Sequence, residues 1–183
     1  MTIDLRLDRL EAESAIRQLI ARYCFTIDDR DLPGIETLFT QDARVASEDG
    51  MMDALGAQAI MDQYHGRFRV LGAGAHYMHD VALDFIDGDP DHATGRVSGH
   101  AELWRAGQMM VAGLRYRDRY RRTAAGWRFA ERIIGFLYYV PVEQYPGILA
   151  HPDRNRAYDV PRPADYPEAL PSWTGYAKAY PDG

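Results

Sequence analysis

Cysteine is almost missing from this chain: of 183 residues only Cys24 carries a thiol. An internal disulfide is therefore excluded, and nothing in the residues calls for an oxidising compartment. Lysine is as scarce. Lys178 stands alone, and the other 20 of the 21 basic residues are arginine, which reads as codon bias. No apolar run approaches the roughly 18 residues of a membrane span. The opening stretch, MTIDLRLDRLEAE, mixes charges of both signs and does not read as a secretory leader, so a cytoplasmic location is expected. There is no glycine-rich phosphate loop, no Gly-x-Ser-x-Gly and no Cys-x-x-Cys, which removes the commonest nucleotide, acyl-transfer and dithiol chemistries. A net charge of −6 speaks against nucleic acid as a partner.

What is present suits a folded domain: 46% hydrophobic residues in one domain's length. Residues 8–28 carry Ala12, Ile16, Leu19, Ile20, Tyr23 and Ile27 at three- and four-residue steps, the buried face of a helix. Cys24 lies beside Tyr23 and reads as packing. Leu32-Pro33-Gly34 breaks the pattern, and a short second helix spans 34–39. A first strand follows at 40–47, a turn at Glu48-Asp49-Gly50, and a third helix over 56–71 with Ile60, Met61, Tyr64 and Phe68 on its apolar side. From residue 72 the period becomes two. Strands are predicted at 74–87, 93–105, 108–122 and 126–139, joined by hairpin turns at Asp87-Gly88-Asp89-Pro90, Arg105-Ala106-Gly107 and Thr123-Ala124-Ala125-Gly126. Helices first and antiparallel strands last is the α+β pattern, and three helices against one curved sheet would enclose a cavity. Eight of ten prolines fall between Pro141 and Pro181, interspersed with tyrosines. Residues 141–183 are therefore expected to form an extended arm, laid over its own or a neighbouring subunit, after a domain of residues 1–140.

Two polar residues interrupt the first helix. Tyr23 places a phenol on the buried stripe, and Asp28 a carboxylate where the stripe ends. Both need partners if they face an apolar interior. Five residues along a regular helix turn the chain by ~140° and raise it by ~7.5 Å. The two share a wall only if the helix ends or bends before Asp28, and Pro33 makes an end there plausible. Asp29, Arg30 and Asp31 read as solvated loop charges. In Ala75-His76-Tyr77-Met78-His79-Asp80 the histidines are three apart. On a strand they point to opposite faces, His76 with Met78 and Asp80, His79 with Tyr77 and Val81. That argues against a metal and leaves one of them to face the cavity as a proton carrier. His100 shares a face with Arg96, Ser98, Glu102 and Trp104, a face turned either to solvent or to a polar cavity. Arg115, Arg117, Arg119 and Arg121 line one strand face, with Glu102 and Glu131 as cross-strand partners.

Ile16-Arg-x-Leu-x-x-x-Tyr23-x-x-x-x-Asp28, Leu38-Phe39-Thr40-x-Asp42, Gly56-x-x-x-Ile60, His76-Tyr77, the strand ending in His100 and Gly126-Trp127-Arg-Phe129 together resemble the SnoaL-like proteins of the nuclear transport factor 2-like superfamily. The resemblance spans about residues 8–140 and lies nearest the branch of scytalone dehydratase and bile-acid 7α-dehydratase. It implies a cone-shaped α+β barrel, three helices held in the concave face of a curved sheet. It also implies a pocket holding a small hydrophobic molecule, with no cofactor and no metal. It implies a dehydratase or isomerase in which Asp28 and His76 form an acid–base pair, Tyr23 hydrogen-bonds the substrate oxygen and His100 assists the leaving group. A homodimer or homotrimer fits the exposed sheet face and the arm. A non-catalytic binding protein, or a structural subunit like the small subunit of ring-hydroxylating dioxygenases, shares the same fold.

Overall fold

The computed structural model describes residues 2–86 and 88–181. The chain runs α1 (Ile3–Asp28), α2 (Leu32–Glu36), β1 (Phe39–Ser47), β2 (Asp53–Leu55), α3 (Ala57–Val70), β3 (Leu71–Phe85), β4 (His92–Arg105), β5 (Gln108–Thr123), β6 (Gly126–Pro141) and, in the arm, α4 (Pro171–Ala179). The expected turn at Asp87-Gly88-Asp89-Pro90, and the end of the expected strand, fall partly on Asp87, outside the described residues.

The strands form one sheet in the order β2-β1-β6-β5-β4-β3. All neighbours are antiparallel except β1 and β6, which pair in parallel. Helix α1 packs against both β3 and β6. On a flat sheet those strands would lie ~14 Å apart, wider than a helix. The sheet therefore curls around the helix, giving the cone. Two elements escaped the sequence reading: the three-residue β2, too short to show a period, and α4, which starts with Pro171 in its first turn, a position that tolerates a missing N–H.

Helix α1 begins five residues earlier than the stripe indicates, capped by the Thr2 hydroxyl, which accepts from the Leu5 N–H at 3.3 Å. It buries Ala12, Ile16, Leu19, Ile20, Tyr23, Cys24 and Ile27. Burial pushes the Cys24 thiol up to about 11, an inert packing group. Arg30 is exposed, as expected, but its guanidinium is held. The residue sits at φ 56° and donates to the carbonyls of Leu71 (2.6 Å) and Gly72 (3.0 Å), tying the end of α1 to the start of β3.

The arm lies along its own sheet. The Tyr139 N–H donates to the Arg154 carbonyl and the Arg156 N–H returns to Tyr139, both at 2.8 Å. Arg154 is 2% exposed and donates to the carbonyls of Leu137, His151 and Tyr166 and to both oxygens of Glu168. That network anchors a segment with little regular structure. On the convex face Arg119 reaches Glu131 (3.7 Å), whereas Arg117 pairs with Glu48 and Arg121 with Asp42. Glu102 takes no part in an ion pair among the described residues.

Candidate active site

The α1 helix does not end before Asp28 but at it, with Asp29 as the C-cap in helical geometry. Asp28 therefore points away from the Tyr23 wall and toward β3. It meets His76 there. The His76 backbone N–H donates to Asp28 Oδ2 at 2.8 Å, and the ring Nδ1 lies 2.5 Å from Oδ1. The His76 side chain is 6% exposed and that of Asp28 18%. With Asp28 as a carboxylate, an acceptor only, Nδ1 carries the proton. Nε2 is then the basic nitrogen, and it makes no hydrogen bond to the described residues.

Tyr23 is placed one wall away, in an aromatic cluster. Its hydroxyl accepts from Tyr64 at 3.1 Å, and its ring meets Phe39, Tyr116 and Phe129 edge-on. At the centre of this cluster sits Arg132, 1% exposed. Its guanidinium carbon lies 4.1 Å from the Tyr23 ring centroid, 3.7 Å from Tyr116 and 4.4 Å from Phe129. Asp118 Oδ1 is 3.4 Å from Arg132 Nε, beyond a well-formed hydrogen bond, and none of the three guanidinium nitrogens has a partner among the described residues. Burial pushes Asp118 up to about 6 against the pull of Arg132 and of the 2.8 Å bond from Tyr120. For Arg132, burial disfavours the charge, but Asp118 and the surrounding phenols outweigh it and keep the group charged.

Sequence reasoning did not commit to Arg132, although it set Glu131 against the outer arginine face; strict alternation from Trp127 and Phe129 would turn Arg132 outward. A register shift leaves Ala130 unpaired between Phe129↔Tyr120 and Glu131↔Arg119, and the phase reverses. The same device corrects Asp80. Between Met78↔Gly99 and Val81↔Val97, β3 holds one more residue than β4. His76 and Met78 face in, and so does Val81, while Asp80 turns out to Ser98.

His100 does not join the site. Its strand partner is Tyr77, so it faces outward: its ring stacks on Tyr77 at 4.7 Å, and its Nδ1 lies 2.7 Å from His79 Nε2. The polar face of β4 is the solvent face, because Val97, Ala101 and Leu103 on the other side fill the core. Of the four residues singled out, the structure joins Asp28 to His76, sets Tyr23 apart beside Arg132, and puts His100 on the opposite face of the sheet.

The interior is not the open chamber that the sequence suggests. Around Tyr23 it is filled by side chains. The cavity nearest the mouth measures about 270 Å³ and is lined by residues of α3, β6 and the arm, not by Asp28, His76 or Tyr23.

A curled six-stranded sheet closed over helices, with a carboxylate–imidazole pair at one end, defines a class of cone-shaped α+β proteins. Residues 8–133 match the SnoaL-like domain, and the chain belongs to that family. A Mycobacterium tuberculosis relative is 32% identical over 130 residues, 69% of this chain and 83% of its own length. The gamma-hexachlorocyclohexane dehydrochlorinase of Sphingobium indicum is 23% identical over 137 residues, 74% of this chain and 87% of the enzyme. Among solved structures, a hexachlorocyclohexane dehydrochlorinase superposes with a TM-score of 0.70 at 20% identity, covering 75% of this chain and 93% of that one. An NTF2-like protein from Novosphingobium aromaticivorans gives 0.55 at 29% identity, covering 72% and 86%.

Proposed function

We propose that the protein is a cofactor-independent lyase or isomerase that removes a proton beside an activating group and expels or relocates a leaving group. The observation that carries this reading is the His76 ring, oriented through Nδ1 by Asp28 with Nε2 left basic. Asp28 stabilises the imidazolium formed when Nε2 takes a proton. The buried guanidinium of Arg132, with unpartnered N–H groups, and the Tyr23 phenol beside it are packed one wall away and become donors for negative charge on a substrate only when the side chains around Tyr23 are displaced. The dehydrochlorinase among the relatives supports elimination as the reaction type, and a small, hydrophobic, cyclic substrate is the class that goes with it. The test is a panel of hydroxylated and halogenated rings with wild type, Asp28→Asn and His76→Ala. Turnover lost in both variants, with the fold intact, is expected. Near-normal rates in both would defeat the assignment.

The filled interior around Tyr23 favours a second reading, a structural subunit of a larger assembly, which predicts co-purification with a larger chain and no turnover on any member of the panel. In either reading a homodimer or homotrimer would cover the outer face of β3–β5, where Tyr77 is 46% and Trp104 50% exposed. Light scattering of the full chain tests that.

A further inference from the structure

The cavity at the mouth of the cone has a character that the acid–base pair does not explain. Its walls are Met52, Leu71, Phe136, Tyr139 and the arm residues Ala157 and Tyr158, an apolar and aromatic shell. Into that shell two cations project and no carboxylate does: Arg67 and Arg105 line it, without a single aspartate or glutamate. This is a local inversion of a chain whose net charge is −6.

The polar groups there lack adequate partners. The Gln63 amide nitrogen is buried and has no hydrogen-bond partner among the described residues. Among the described residues Arg67 donates only to the thioether of Met52, at 3.7 Å, a weak acceptor. Burial disfavours the Arg67 charge, yet the phenols of Tyr23, Tyr64, Tyr116 and Tyr139 outweigh it and the group stays charged. Arg105 lies against the Tyr139 ring, 5.7 Å from its centroid. A buried, unpaired amide N–H from Gln63 and a half-buried guanidinium from Arg67 face one small space, and the amide is costly to leave there unless something accepts from it.

The position suits a ligand of the site. Leu71 lines the cavity, and its carbonyl is held by Arg30, two residues beyond Asp28. Tyr139 lines it too, in the same cross-strand row as His76, through Ala101 and Ala112. A second opening of about 460 Å³ shares Val70, Arg105, Ala157 and Tyr158 with it and leads outward.

We propose that this cavity binds the carboxylate of an anionic ring substrate, with Arg67 and Gln63 as its donors and Arg105 at the outer rim. The proposal deepens the lyase reading and rests on it only for the word substrate. The carboxylate docks at Arg67 and Gln63, and the ring packs against Phe136 and Tyr139. A volume of about 270 Å³, just below the roughly 300–1,000 Å³ of sites for drug-sized molecules, suits a single ring.

The test is binding, not turnover. Benzoate and benzamide, equal in shape and different in charge, are titrated calorimetrically into the full chain at neutral pH. Wild type is expected to prefer benzoate by about tenfold or more, the worth of one charge-assisted hydrogen bond. Arg67→Met should erase the preference, and Arg67→Lys should keep part of it. Gln63→Leu, which changes no charge, should weaken benzoate several-fold and serves if Arg67→Met does not fold. Arg115→Met, on the outer face, should change nothing. No benzoate preference in wild type overturns the proposal, as does a preference that survives Arg67→Met and Gln63→Leu or disappears in Arg115→Met. None of these outcomes bears on the Asp28 and His76 turnover test, so the two readings fail separately.

Discussion

His76 and His79 stand three residues apart on one strand and belong to different molecules in all but covalent bonding. His76 faces the concave side, 6% exposed at its side chain, and is fixed at two points by one carboxylate. His79 faces the convex side, is exposed, and shares a hydrogen bond with another imidazole, His100. Burial makes the difference consequential. A carboxylate held against a ring in a poorly hydrated place sets its orientation and which nitrogen is basic. Two rings in water hold one another only loosely. The lesson is that a histidine's chemistry is decided by the face of the sheet it occupies, and not by its neighbours in sequence.

The strongest way to break this comparison is to remove one partner from each side. Asp28→Asn leaves the ring without its anionic anchor and is expected to cost 10²- to 10⁴-fold in turnover on any substrate the panel identifies, the usual range for general acid–base catalysis. His79→Ala should leave turnover within about twofold, and steady-state kinetics on both variants decides it.

A second contrast lies between buried and exposed ion pairs. Arg132→Ala removes the cation from the aromatic cage and strands Asp118 in the core, at an expected cost of about 3–5 kcal/mol in urea denaturation. Loss of under 1 kcal/mol would show that the cage does not depend on its charge.

Asp118 sharpens the same contrast through pH. Unfolded, its proton leaves near pH 4; folded, burial moves that to about 6. Between those values the folded chain holds more protons than the unfolded one, so stability falls as pH rises from about 4 to about 6, by up to ~2–3 kcal/mol. Asp118→Asn has no such proton. Its stability relative to wild type should therefore improve across that window, read as urea midpoints at pH 4, 5, 6 and 7. Parallel curves would contradict the assignment. Asp165, also raised by burial to about 6, is common to both proteins and cancels.

The smallest effect belongs to the outer pair. His79→Ala and His100→Ala should each change stability by no more than about 0.5 kcal/mol, as exposed substitutions do. A larger loss in thermal denaturation would mean that the convex face is covered in solution.

Much of the fold was legible because its signals are periodic. The stripe from Ala12 to Ile27 and the two-residue alternation of the long strands each repeat often enough to read. The parallel pairing of β1 with β6 was not legible, since nothing in a single strand names its neighbour. The site was half legible. Asp28 and His76 stand out as polar residues at apolar positions, and the family resemblance drew them together. Arg132 and Asp80 were hidden by two single-residue register shifts, which reverse inside and outside without leaving a mark in composition. His100 was misplaced because a polar strand face looks the same whether it meets water or a polar chamber. Arg67 was hidden as one of 20 arginines, most of which are surface groups.

The extra residue in β3, between Met78 and Val81, has a consequence for how this family can vary in length. Deleting one residue there would restore one-against-one pairing with β4 and leave His76 and Met78 facing in, with Val81, Leu83 and Phe85 unchanged. The same deletion within the regularly paired stretches of the strand would turn all that follows inside out; the other register shift, between Leu71 and Gly74, shares the freedom. Natural deletions in this strand should therefore gather at positions 79 and 80, and at 72 and 73, the hinges of phase where a change of length is silent to the core.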